Sequence, residues 1–136
     1  MEKLEPKQEK FIKSLVALER SIKVFSRKDT PIDIKESLVA SNVKHFEICY
    51  ESAWKFLQVF LAHKCDKKLD SPKKIFRECF ALEIIDDITT KNLLDMSEAR
   101  NATVHDYDEE TAQETCKRIL GYYDTLKMLA KIAKES

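Results

Sequence analysis

The residues most able to do chemistry lie close together near the C-terminal third of the chain, in Glu98-Ala99-Arg100-Asn101-Ala102-Thr103-Val104-His105-Asp106-Tyr107-Asp108-Glu109-Glu110. Arg100 carries a planar guanidinium fork suited to phosphate oxygens. His105 is the side chain whose ordinary titration falls near neutrality, so it could accept or donate a proton. Asn101 could position a 2′-hydroxyl or orient the histidine, and Tyr107 offers a phenol as donor or as a modifiable nucleophile. Together these are the parts of a phosphate-handling site. The same residues would serve as a solvated polar corner between two helices, and four nearby carboxylates, Asp106, Asp108, Glu109 and Glu110, would repel an RNA backbone.

Spacing limits how these groups can cooperate. On a continuous helix, Arg100 and His105 point roughly 140° apart at about 100° per residue. They share a site only if the helix stops between them or if a second subunit contributes. The sequence predicts a stop near Arg100. Asp106-Tyr107-Asp108-Glu109 has the form of a capping box, with Asp108 as a rival cap for the next helix. Either cap places His105 and Tyr107 at an interhelix corner, near a helix N-terminus that attracts anions.

The elements that must hold this corner read as helices. The chain has 136 residues, 43% of them apolar, with one glycine and three prolines. That length fits one domain over 1–136, and so few turn formers disfavour an all-β fold. Phe11, Leu15, Leu18, Ile22 and Phe25 mark a first amphipathic helix. Thr30-Pro31-Ile32-Asp33 predicts the capped start of a second, running to about Lys64, with Val39, Val43, Phe46, Tyr50, Ala53, Trp54, Leu57 and Leu61 on its main stripe. Ser71-Pro72 opens a short third helix with Ile75, Phe76, Cys79, Phe80 and Leu82 inward. Asp86 or Asp87 caps a fourth through Ile88, Leu93 and Met96, and Ala112, Cys116, Ile119, Tyr123, Leu126 and Ala133 line the last. The expected architecture is an all-α antiparallel bundle of four to five helices.

Charge and cysteine usage narrow the function. Charged residues make up 35% of the chain, yet 24 basic and 24 acidic side chains cancel. That balance argues against a protein that coats nucleic acid. Cys49, Cys79 and Cys116 fall in apolar helical patterns and read as reduced core residues. His45, His63 and Cys65 have the wrong spacing for a common zinc cluster, so neither a metal nor a cofactor is expected. Without a secretory signal or an apolar run of ~20 residues, a cytoplasmic location with no membrane partner is expected. A lysine-rich stretch, Lys64, Lys67, Lys68, Lys73, Lys74 and Arg77, is either a partner-facing surface or a solvated one. Glu47 and Glu51, one turn apart, are either an acid pair or partners for Arg100 or Lys55.

Three stretches in order resemble a known family. Arg100-Asn101-x-x-x-His105-x-Tyr107 resembles the R-N-x-x-x-H-x-Y signature of HEPN domains. Phe46-Glu47-Ile48-Cys49-Tyr50-Glu51-Ser52-Ala53-Trp54-Lys55 and Ser71-Pro72-Lys73-Lys74-Ile75-Phe76-Arg77-Glu78-Cys79-Phe80 resemble the FE-x-x-YE-x-AWK and SP-x-x-x-x-R-E-x-F segments of its HepT-like branch. Members of that branch are often called nucleotidyltransferase substrate-binding proteins and are encoded beside minimal nucleotidyltransferases. The run from Tyr107 to Ala112 fits as well, and the likeness spans roughly positions 8 to 130. The resemblance implies a helical bundle that pairs as a homodimer and brings the Arg and His motifs of two protomers together. In active members that composite site cleaves RNA without a metal, which would give Arg100, His105 and Asn101 catalytic roles. It further implies a minimal nucleotidyltransferase as partner, acting in some systems as an antitoxin by adding nucleotide to the motif tyrosine, here Tyr107. The alternative within the same branch is a non-catalytic substrate-binding subunit.

Overall fold

The computed structural model describes residues 2–105 and 108–136. Five helices follow one another: α1 (Leu4–Phe25), α2 (Ile32–Cys65), α3 (Pro72–Ala81), α4 (Asp87–His105) and α5 (Glu109–Lys134). There is no strand among the described residues. α2 has 34 residues, so at 1.5 Å per residue it is roughly 50 Å long and can touch every other helix. α1 folds back on it as a hairpin, α5 packs along both, and α3 and α4 close the remaining side.

The core follows from the apolar stripes. Phe11 and Leu18 of α1, Phe46, Phe56, Leu57 and Leu61 of α2, Ile75 and Phe76 of α3, Leu93 and Met96 of α4, and Ile119, Leu126 and Leu129 of α5 are all buried. Each side chain of this size contributes about 1.5–3 kcal/mol when fully removed from water. Aromatic rings tie the layers together. Phe46 stacks on Tyr122 with centroids 5.3 Å apart, and Phe11 on Phe56 at 6.0 Å. Tyr50 meets Phe76 edge-on at 6.1 Å. These offset and edge-on arrangements are the ones the ring quadrupole favours. Cys49, Cys79 and Cys116 are buried free thiols, while Cys65 is only partly covered. Burial pushes the Cys49 and Cys79 thiols up to about 12.

Several expectations change in detail. Thr30 does not cap α2. Pro31 takes the N-cap position and the Thr30 hydroxyl turns back to the Arg27 carbonyl at 3.4 Å. Lys35 secures this junction instead, donating to the Phe25 carbonyl with its ammonium 4.1 Å from the Phe25 ring centroid. Ile88, Phe80 and Leu82 are exposed rather than inward. Tyr122, not Tyr123, is the fully inward tyrosine of α5. Asp86 caps α4, accepting from the Thr89 N–H at 2.7 Å.

The most consequential difference is at the end of α4. The helix does not stop near Arg100 but continues through His105. Thr103 helps it to do so, since it is buried and its short hydroxyl side chain finds polar partners on α2 and on its own helix. Asp108 is the residue that starts α5, accepting from the Thr111 N–H at 2.7 Å. The competing cap at Asp106, like Tyr107, lies outside the described residues.

Candidate functional site

The site is built where α4 crosses α2. Val43, Phe46, Tyr50 and Ala53 point into the core, so Glu47 and Glu51 fall on the edge of α2 that meets α4. Glu51 is a hub. Its Oε2 accepts from Trp54 Nε1 at 3.0 Å and lies 3.4 Å from Arg100 Nη2, while its Oε1 faces Lys55 Nζ at 3.6 Å. Both Arg100 and Glu51 are about one-third exposed. The guanidinium is therefore held by one carboxylate contact yet remains open to a second anion. Glu47 accepts from the Thr103 hydroxyl at 2.9 Å, so both glutamates anchor α4 and form no acid pair. Behind them the Tyr50 hydroxyl meets Ser97 Oγ at 2.6 Å in the core, and burial holds that phenol above its usual range.

Because α4 is continuous through His105, its faces separate the predicted site residues. Arg100 turns toward α2 and Glu51. Asn101 and His105, four positions apart, are neighbours on a different, exposed face. Within one chain Asn101 and His105 are thus one turn apart on α4, while Arg100 is engaged by Glu51 on the α2 side. Sequence reasoning anticipated Arg100 or Lys55 as partners of Glu51, but not that the carboxylate holds both together with the Trp54 indole. Trp54 is partly buried, packed against the core and hydrogen-bonded through its indole N–H, which leaves it little freedom as a stacking platform.

The electrostatics around the site are mixed. The N-cap bond from Thr111 holds the Asp108 carboxyl below the usual carboxylate range. Between α4 and α5 runs a groove of about 480 Å³ whose walls include Glu98, Glu110, Glu114 and Arg118. Arg118 is itself engaged, 3.7 Å from Glu114 and 3.9 Å from Asp95. Much of the lysine-rich stretch is paired too: Lys67 with Glu78 at 3.9 Å, Lys74 with Asp70 at 3.5 Å, and Lys73 with Glu98. Among the described residues, no group of three His, Cys, Asp or Glu side chains converges as a metal site. His63 hydrogen-bonds the Glu2 carbonyl at 2.6 Å. Among the described residues, no helix is long and apolar enough to cross a membrane.

The chain is a helical bundle that carries Arg100, Asn101 and His105 on its fourth helix, and comparison with known proteins gives its family. The model of the family described as nucleotidyltransferase substrate binding protein like matches residues 7–135, and the chain belongs to that family. Two solved structures share the fold. One is a crystal structure of a Thermus thermophilus protein, 24% identical, with a TM-score of 0.77 over 90% of this chain and 98% of that one. The other is a tri-AMPylated Shewanella oneidensis HEPN toxin in complex with MNT antitoxin, 16% identical, with a TM-score of 0.75 over 100% of both chains. No curated protein matches by sequence.

Proposed function

We propose that this chain is the toxin half of a toxin–antitoxin pair. In this reading it is a metal-independent endoribonuclease, one domain per chain, whose site is completed by homodimerisation. A minimal nucleotidyltransferase silences it by nucleotidylation of Tyr107. The observation that carries the reading is the division of labour on α4: an arginine held open by Glu51 on one face, and an asparagine–histidine pair on another. Two copies meeting at this end of α4 would bring these groups onto one phosphate. Family membership and the fold shared with an AMPylated toxin bound to its antitoxin support the same assignment.

The chemistry is a transesterification. One His105 accepts the proton of a 2′-hydroxyl as its oxygen attacks the adjacent phosphorus. The His105 of the other copy protonates the departing 5′-oxygen, leaving a 2′,3′-cyclic phosphate and a 5′-hydroxyl. The two Arg100 side chains neutralise charge on the phosphorane. Asn101, one turn before His105, orients the imidazole or the 2′-hydroxyl. Nucleotide added to Tyr107 would place a phosphate beside these cations and block the site.

A second reading, a non-catalytic substrate-binding subunit, is favoured by the acidic α4–α5 groove, which suits a protein partner better than RNA. Expression in bacteria separates the two. Wild type alone should arrest growth and degrade RNA, and His105→Ala alone should do neither. Equal growth and intact RNA in both leave the subunit reading. Incubation with the partner nucleotidyltransferase and ATP should add AMP, read by intact mass, and Tyr107→Phe should abolish the gain.

A further inference from the structure

The zero net charge conceals a strongly uneven surface. On the opposite side of Glu51 from Arg100 lies a groove of about 200 Å³ between α1 and α2, lined by Lys7, Lys10, Ile48, Glu51, Ser52 and Lys55. Three ammonium groups face one carboxylate, and that carboxylate is already shared with Arg100 and the Trp54 indole. Lys7 reaches only the exposed Glu2, at 3.6 Å, and among the described residues Lys10 pairs with no carboxylate. Exposed pairs of this kind contribute little and exchange readily for a better anion. Ile48 adds an apolar wall against which a sugar can pack.

We propose that this α1–α2 groove is a backbone-phosphate subsite for single-stranded RNA, guiding the strand toward Arg100; the proposal rests on the ribonuclease reading above. Lys7 and Lys10 sit one turn apart on α1, and Lys55 faces them from α2, so the groove offers cations on both walls along a phosphodiester path. Glu51 is its shared wall with the Arg100 site, so a strand seated on the lysines passes directly to the guanidinium. The carboxylate-rich α4–α5 groove turns the same strand away on the other side.

The test uses the full-length His105→Ala chain, which binds without cutting, and a fluorescein-labelled single-stranded RNA oligonucleotide followed by anisotropy. Adding Lys7→Gln and Lys10→Gln should weaken binding about tenfold and lower the slope of log K against log salt by about 0.7 for each phosphate no longer neutralised. Both lysines lie on the surface, and circular dichroism checks that the helices are retained. Unchanged affinity and slope overturn the subsite, as does loss of nucleotidyltransferase capture without loss of RNA binding. RNA cleavage by the otherwise wild-type chain is measured in parallel. Cleavage with lysine-independent binding sinks the groove and spares the ribonuclease. Lysine-dependent binding without cleavage does the reverse, and no RNA binding at all sinks the groove.

Discussion

Glu51 is the residue on which the candidate site turns. Its carboxylate fixes the guanidinium of Arg100 from a neighbouring helix, and the Trp54 N–H fixes the carboxylate in turn. An arginine freed from this hold loses its aim, and small displacements of a positioning group can cost about 100-fold in rate. On the ribonuclease reading proposed above, Glu51→Ala should therefore reduce RNA cleavage about ten- to hundredfold, chiefly in kcat, with a modest loss of thermal stability from the lost α4 and Trp54 contacts. A rise in KM with kcat unchanged would assign Glu51 to binding alone. A second expectation concerns ionisation in the core. Burial, and then the Asp95 carboxylate 2.7 Å away, push the Tyr122 hydroxyl up to about 12, from 10.0. A folded-state value raised above the unfolded one means the folded chain resists deprotonation. The Tyr122 contribution is intact below pH 10 and is lost as pH rises toward about 12, while Cys49 and Cys79 begin to erode stability from pH 9. A melting series across that range should show the decline. Tyr122→Phe should start lower at neutral pH, having lost the bond to Asp95, yet fall less steeply above pH 10.

At the scale of the helices, Gly121 and Glu83 are poorly matched to their backbone. Gly121 lies inside α5, where a methyl group would meet nothing within 4 Å. Glu83 follows α3 with φ 60°, in a C-terminal turn closed by Ile84 N–H to the Cys79 carbonyl at 2.9 Å and Glu83 N–H to Phe80 at 3.0 Å. That pair of hydrogen bonds is a Schellman closure, whose left-handed residue is usually glycine. Gly121→Ala should stabilise the fold by about 0.5–1 kcal/mol, and Glu83→Gly by up to about 1 kcal/mol, both measured by urea denaturation.

The helices themselves were legible because heptad-like apolar spacing and two Pro-preceded starts announce them. The boundaries were harder, because caps compete. Thr30 has the right hydroxyl, but the hairpin turn spends it on Arg27. The run from Ala102 to His105 has no breaker, and Thr103, a modest helix former, gains its Glu47 partner only once α2 is alongside. Tyr122 and Tyr123 are adjacent, and only packing against Phe46 chooses between them. The α1–α2 lysine groove is illegible in the sequence for a related reason: its members lie on two helices far apart along the chain, whereas Lys67, Lys73 and Lys74 of the contiguous lysine-rich stretch each face a carboxylate.

For the molecule as a whole, the face of α4 that holds Asn101 and His105 is open to solvent, and function as proposed requires a second chain to cover it. Sedimentation equilibrium should give twice the 15.9 kDa chain mass. An exposed Val104 side chain lies beside the pair, and Val104→Glu should shift the equilibrium toward single chains and remove cleavage together. Single chains that still cut RNA would rule out a shared site. The charge layout adds a directional element: cations between α1 and α2, carboxylates between α4 and α5, and the arginine at the boundary.

The uneven covering of the cysteines has a practical consequence. With three thiols sealed in the interior, Cys65 at the end of α2 offers a natural handle for a single maleimide dye. Energy transfer between donor- and acceptor-labelled copies would then follow association in real time, without engineering any sulfur into or out of the chain.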